Sequence, residues 1–127
     1  MTMPHERTRA LRFAHEALLE ISARPQVDVA NRAAAVALLS SFPTPDQVAE
    51  WIEAAASSVP VVAATAIESA GLLFRAMWRS DSCPAATRES LKHTLRHYPG
   101  EGEALRWVRA IGDRPITAWL LPEDHYR

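Results

Sequence analysis

The chain has 127 residues, 48% of them hydrophobic and 23% charged, with a formal net charge of −1. That length suits a single hydrophobic core, and the composition excludes a disordered or membrane-like chain. Near-neutral charge gives no general pull toward nucleic acid or acidic lipid. Runs such as VPVVAATAI are too short to span a bilayer, so no membrane partner is expected. MTMPHERTRA places charge before any apolar stretch, so no secretory signal is read. Cys83 is the single cysteine, which leaves no internal disulfide and fits a reducing cytoplasm.

Taken in chain order, Pro4 opens a first helix, where a missing N–H costs nothing. Leu11, Ala14, Leu18 and Ile21 form its apolar stripe. A second helix is expected from about Val29 to Ser41. After Phe42-Pro43, Thr44 is the N-cap and Pro45 the first residue of a third helix, with Val48, Trp51, Ile52 and Ala55 on its apolar face. Pro60 opens a fourth helix whose stripe is Ala63, Ile67, Ala70, Phe74, Met77 and Trp78. A fifth runs from about Ala85 to His97, with Leu91, Leu95 and Tyr98 on its buried side. The PGEG loop at Pro99 then leads into a sixth, where Glu101 and Glu103 suit the positive helix start. The tail RPITAWLLPEDHYR is short and apolar between Pro115 and Pro122, and is open between a strand, a short helix and a docked extended arm.

This order repeats itself. Shifting the chain by 56 residues aligns residues 2–57 with 58–113 without a gap. Nine positions are then identical: Pro4/Pro60, Ala10/Ala66, Ala14/Ala70, Ala30/Ala86, Arg32/Arg88, Leu39/Leu95, Pro43/Pro99, Trp51/Trp107 and Ala54/Ala110. Leu11/Ile67, Leu18/Phe74, Ile21/Met77, Phe42/Tyr98 and Ile52/Val108 are conservative. The expected architecture is all-α: about six helices as two tandem three-helix repeats packed into one domain, residues 1–127, with residues 114–127 as an apolar C-terminal tail. Phe42, Pro43, Trp51 and their mates Tyr98, Pro99, Trp107 would wedge the helices together at the two corners. Arg32 and Arg88 would bind carbonyls or a carboxylate near the start of each second helix. Units of this size bury little core alone, so packing of the two units, extended by a possible homodimer, is expected.

Met1, Thr2, Pro4, Glu6, Arg7, Thr8, Arg9 and Ala10 match a Met-Thr-x-Pro-x-Glu-Arg-Thr-Arg-Ala opening, and Arg96, His97, Tyr98 and Pro99 an Arg-His-aromatic-Pro motif. On these residues the chain resembles a family of short uncharacterised bacterial proteins. In the first half Ser40 and Ser41 stand in place of the Arg and His. The resemblance covers residues 1 to about 50 best; it implies a bacterial protein and carries no activity with it.

Residues with reactive side chains point away from catalysis. His93 and His97 are four apart on a helix, but lack the glutamate of the zinc motif and a third ligand; solvated histidines beside Lys92 and Arg96 are expected. Cys83 lies beside Asp81, which opposes a thiolate, and its repeat-mate is Val27. His15 falls on the apolar stripe as a core histidine. No phosphate loop, nucleophile motif or two-metal carboxylate set appears. No enzyme, cofactor or metal is therefore expected.

Charge and apolar placement point instead to a partner. Between residues 69 and 109 stand seven Lys/Arg against four Asp/Glu. Arg75, Arg79, Lys92, Arg96, Arg106 and Arg109 are candidate contacts, as are Phe13, Trp119 and Leu120 if they form an exposed apolar patch; a tail folded back over Phe13 is the alternative. The leading expectation is a cytoplasmic protein-interaction module: a small helical adaptor, inhibitor or antitoxin-like regulator binding another protein or itself. The alternative is a nucleic-acid-binding regulator with Arg75, Arg79, Lys92 and Arg96 on phosphates.

Overall fold

The computed structural model describes residues 2–55, 59–109 and 115–124, with Arg109 described by its backbone alone. Among these residues the chain is all-helical, in the order α1 Pro4–Ala23, α2 Val29–Leu39, α3 Pro45–Glu53, α4 Val61–Arg79, α5 Ala85–Leu95 and α6 Glu103–Arg109, with a short 3-10 turn at Ile116–Ala118. Of the expected junction between the two units, near Ser57–Pro60, only Val59 and Pro60 are described; residues 56–58, 110–114 and the last three lie outside the described residues.

Local chemistry sets the helix ends. Pro4 is the first residue of α1, and Glu6 reaches back to accept the Met3 N–H at 2.9 Å. The Asp28 carboxylate caps α2 by accepting the Asn31 N–H at 2.8 Å. At α3, Thr44 Oγ1 accepts from the Gln47 N–H while Gln47 Oε1 accepts from the Thr44 N–H, a reciprocal capping box. Pro60 caps α4 rather than opening it, so that helix begins one residue later than expected. Both α2 and α5 end two residues earlier than the sequence suggests, at Leu39 and Leu95. Each is followed by an aromatic-Pro pair, and the residue before a proline is driven out of helical conformation.

The helices form one compact domain. α1 is the central element, packed on α2 and on α5, while α4 packs on α5, α6 and α2. The second helix of each half thus also touches the first helix of the other half. Exposure follows the 56-residue shift: Ala10, Leu11, Ala14, Leu18 and Ile21 are buried, as are Ala66, Ile67, Ala70, Phe74 and Met77. In α2 and α5 the outward residues are again 56 apart: Val29, Ala30, Ala33, Val36, Ala37 and Ser40 against Ala85, Ala86, Glu89, Lys92, His93 and Arg96.

The corner aromatics Phe42 and Tyr98 are buried, with Pro43 and Pro99; Trp51 and Trp107 are half-buried against the same core. Of the alternatives strand, short helix and docked extended arm, the described tail residues take the short helix. Its 3-10 turn delivers Trp119 and Leu120 into the core, both fully buried, and Trp119 stacks on Trp107 at 5.6 Å. Burying the large apolar surface of Trp119 within its own domain is reason enough for the docking.

α4 is long and apolar enough to cross a membrane by length and composition alone, with 19 residues and mean hydropathy 1.3, but 44% of that window is buried inside the protein. A core helix meets the same criteria.

Candidate functional site

The opening of the chain and the Arg96–Pro99 segment meet in space. Glu6 Oε2 lies 2.9 Å from His97 Nε2, and Thr2 Oγ1 lies 3.2 Å from His97 Nδ1. The next residue of α1, Arg7, donates to the Trp119 carbonyl at 3.1 Å and pairs with Glu103 at 3.3 Å. The Trp119 indole N–H donates to the same Glu103 at 2.8 Å. Farther along, Arg12 grips Glu123 through two bonds of 2.8 Å, with Arg9 at 3.7 Å. The chain's opening therefore binds the α5–α6 corner and the tail through charge-assisted bonds. The Met3 N–H first, and His97 after it, hold the Glu6 carboxyl below its ordinary pKa; the Arg12 hydrogen bonds do the same for Glu123.

This corrects the picture of His97 as a solvated residue. It is half-buried and engaged, whereas His93 is exposed and 3.4 Å from Glu89 on its own helix. Among the described residues no three His, Cys, Asp or Glu side chains come together as a group able to hold a metal. Cys83 is half-buried; burial pushes its thiol pKa up, Arg88 offsets part of that and Glu20 adds to it, so the thiolate is disfavoured. His15 is half-buried with its ring 6.4 Å from Phe42.

The basic candidates separate into engaged and free groups. Arg75 donates to the Pro99 carbonyl at 3.0 Å and is half-buried, so it is a brace for the α5–α6 corner and no open phosphate contact. Arg88 donates to the carbonyls of Trp78 and Ser80 at the end of α4, the carbonyl role expected of it. Arg32, its counterpart, has a buried Nε with no hydrogen-bond partner among the described residues. Arg79, Lys92, Arg96 and Arg106 are exposed, and the Arg109 side chain lies outside the described residues. Trp119 and Leu120 are core residues, which corrects their candidacy as partner contacts.

Phe13 is half-buried, its ring 4.9 Å from the Arg12 guanidinium that grips Glu123 of the tail. It lines a groove of about 250 Å³ between α1 and α5, walled also by Glu16, Glu20, Ser90 and His93. A hollow of about 480 Å³ lies between α1, α3 and the tail, with Ala49 and Ile52 as apolar wall and Glu53 and Glu123 as acids.

A stronger feature is the seam between α2 and α4. Counting 56 residues on from Glu16 and Glu20 of the α1/α5 groove gives Leu72 and Ala76; counting back from His93 gives Ala37. The outward stripe of α4 is Val61, Val62, Thr65, Leu72 and Ala76, ending at Arg79, and that of α2 is Val29, Ala30, Ala33, Val36, Ala37 and Ser40. The corresponding face in the other half carries Glu16, Glu20, Glu89, Lys92, His93 and Arg96. Sequence reading missed this face because each helix looks merely alanine-rich in isolation; the aligned exposed positions of α2 and α5 were the available signal.

A scan against protein-family models, a search of curated proteins and a search of solved structures each return no match.

Proposed function

We propose that the chain is a non-enzymatic bacterial protein-interaction module, a small helical adaptor, inhibitor or antitoxin-like regulator of the cytoplasm, built on a duplicated three-helix unit. The observation that carries this reading is the α2/α4 face, uncharged but for Arg79 at its end. Monomer surfaces rarely present contiguous apolar patches of this kind unless they contact something. The same fold accepts charge at the corresponding positions 56 residues away, so the architecture does not require an apolar surface there. A contact does.

The test is capture from native bacterial lysate, with and without nuclease, on the immobilised chain and on a variant carrying Ala33→Glu, Val36→Lys and Leu72→Glu. These substitutions place at the α2/α4 seam the residues found at the corresponding α1/α5 positions. Circular dichroism checks that the variant keeps its helices. The expected result is one protein held in stoichiometric amount through nuclease treatment and lost with the variant. Material that disappears with nuclease would instead favour nucleic acid bound through Arg79, Lys92 and Arg96. Equal capture by both chains would sink the α2/α4 reading.

A further inference from the structure

We infer that the α2/α4 face is a homodimer interface, on which a second copy of this chain packs about a twofold axis. The inference rests on the interaction-module reading and names the occupant of its surface.

The first argument is electrostatic. A twofold interface sets a patch against itself, so a charge close to the axis meets its own copy, and one farther out needs an opposite charge elsewhere on the same patch. The stripes of α2 and α4 hold Val, Ala, Leu, Thr and Ser along their length, with Arg79 only at the end of one. Two copies can therefore meet there without burying an unpaired charge, the costly error at an interface. A charged partner would leave its own ions facing side chains unable to pair with them. The net charge of −1 adds little repulsion between copies.

The second argument is area. Val29, Val36, Val61, Val62 and Leu72 are each 50–72% exposed. At those exposures the five leave on the order of 500 Å² of apolar surface, and the alanines among them raise it toward the roughly 800 Å² per partner of a standard stable interface. The third is shape. Ala30, Ala33 and Ala37 lie on one side of α2 at spacings of three and four, which lets a facing helix approach to about 8 Å between axes, with Val36 as the side chain that fills the gap.

Sedimentation velocity over a micromolar concentration series tests the inference on the full chain. The wild type is expected to sediment as a dimer. An acidic variant, Ala33→Glu with Val36→Glu, and a basic variant, Ala33→Lys with Val36→Lys, are each expected to be monomeric, with at least a tenfold weaker self-association. Mixing the two should restore a dimer, since each now offers the other the opposite charge on the same patch; misfolded variants would give no such rescue. A monomeric wild type overturns the inference, as does a dimer indifferent to both variants. A monomer that floats with anionic lipid vesicles reassigns the face to a membrane surface and overturns it too. A monomeric wild type that still captures another protein, lost with the Ala33/Val36/Leu72 variant, ends the homodimer while leaving the interaction module standing.

Discussion

At the first corner of the molecule, between α2 and α3, Phe42 lies against the half-buried ring of His15. At the second, between α5 and α6, Tyr98 takes the same place in the core, but Gly71 stands where His15 would be. A Cβ added at Gly71 would sit 3.0 Å from the Tyr98 ring, so the missing side chain is what admits the larger aromatic. The Tyr98 hydroxyl then reaches the Ile67 carbonyl at 2.7 Å, and its ring meets Phe74 edge-on at 5.7 Å. Around it Arg75 holds the Pro99 carbonyl, and Glu68 accepts the Gly102 N–H at 2.8 and 2.9 Å. Gly102 has a φ of +80, the left-handed backbone that glycine adopts without steric cost. The two corners are thus closed by different means, one by apolar packing and the other by hydrogen bonds around a longer connection with a left-handed Gly102.

That contrast can be broken at several points, from the largest effect down. Trp119→Ala removes a fully buried indole that stacks on Trp107 and binds Glu103, and should cost about 3–5 kcal/mol in urea denaturation. A loss below about 1 kcal/mol would mean that the tail is dispensable to the second half. Arg88→Ala strips the Trp78 and Ser80 carbonyls of a charged donor and should cost about 2–3 kcal/mol. Arg32→Ala, at the counterpart with its unpartnered buried Nε, should stay within about 0.5 kcal/mol of wild type. Equal costs at the two arginines would erase the difference between the α1–α2 and α4–α5 turns of the two halves. Tyr98→Phe removes the side-chain donor to the Ile67 carbonyl and should cost about 1–2 kcal/mol, with crystallography or NMR expected to show an unmoved ring.

The smallest expected effect is on pH dependence. Glu6 and Glu123 are held below the ordinary glutamate pKa in the folded chain. A depressed carboxylate contributes stability above its unfolded pKa, about 4.3, and that contribution is lost as pH falls through the folded value. The melting temperature should therefore decline below about pH 5, and decline less steeply in Glu6→Gln and Glu123→Gln. Parallel acid profiles for wild type and both variants would show that the opening of the chain and the tail are not joined through these acids.

Much of the fold is legible without coordinates. The stripes of α1 and α4, the Thr44 cap and the aromatic-Pro corners follow from periodicity, capping chemistry and proline's restrictions, which act within a turn or two of backbone. Less of the site is legible. Glu6, Arg7 and His97 stand in motifs conspicuous as sequence, yet no spacing rule links Thr2 to His97 across 95 positions or Arg7 to the Trp119 carbonyl across 112. Arg75 looks like a surface cation by its helix position, and only the return of Pro99 against α4 engages it.

By itself, then, the chain's sequence determined six helices, the bounds of α2 and α5 and the starts of α1, α3 and α4 to within two residues, and a 56-residue correspondence, because hydrophobic period and capping are short-range effects. Tertiary structure decided the rest: that α2 packs on α4 and α1 on α5 across the halves, that the tail's Trp119 becomes core, and that one seam is charged while its counterpart is bare. Those outcomes depend on which faces remain once every helix has buried its stripe, and that is a property of the whole packing rather than of any segment.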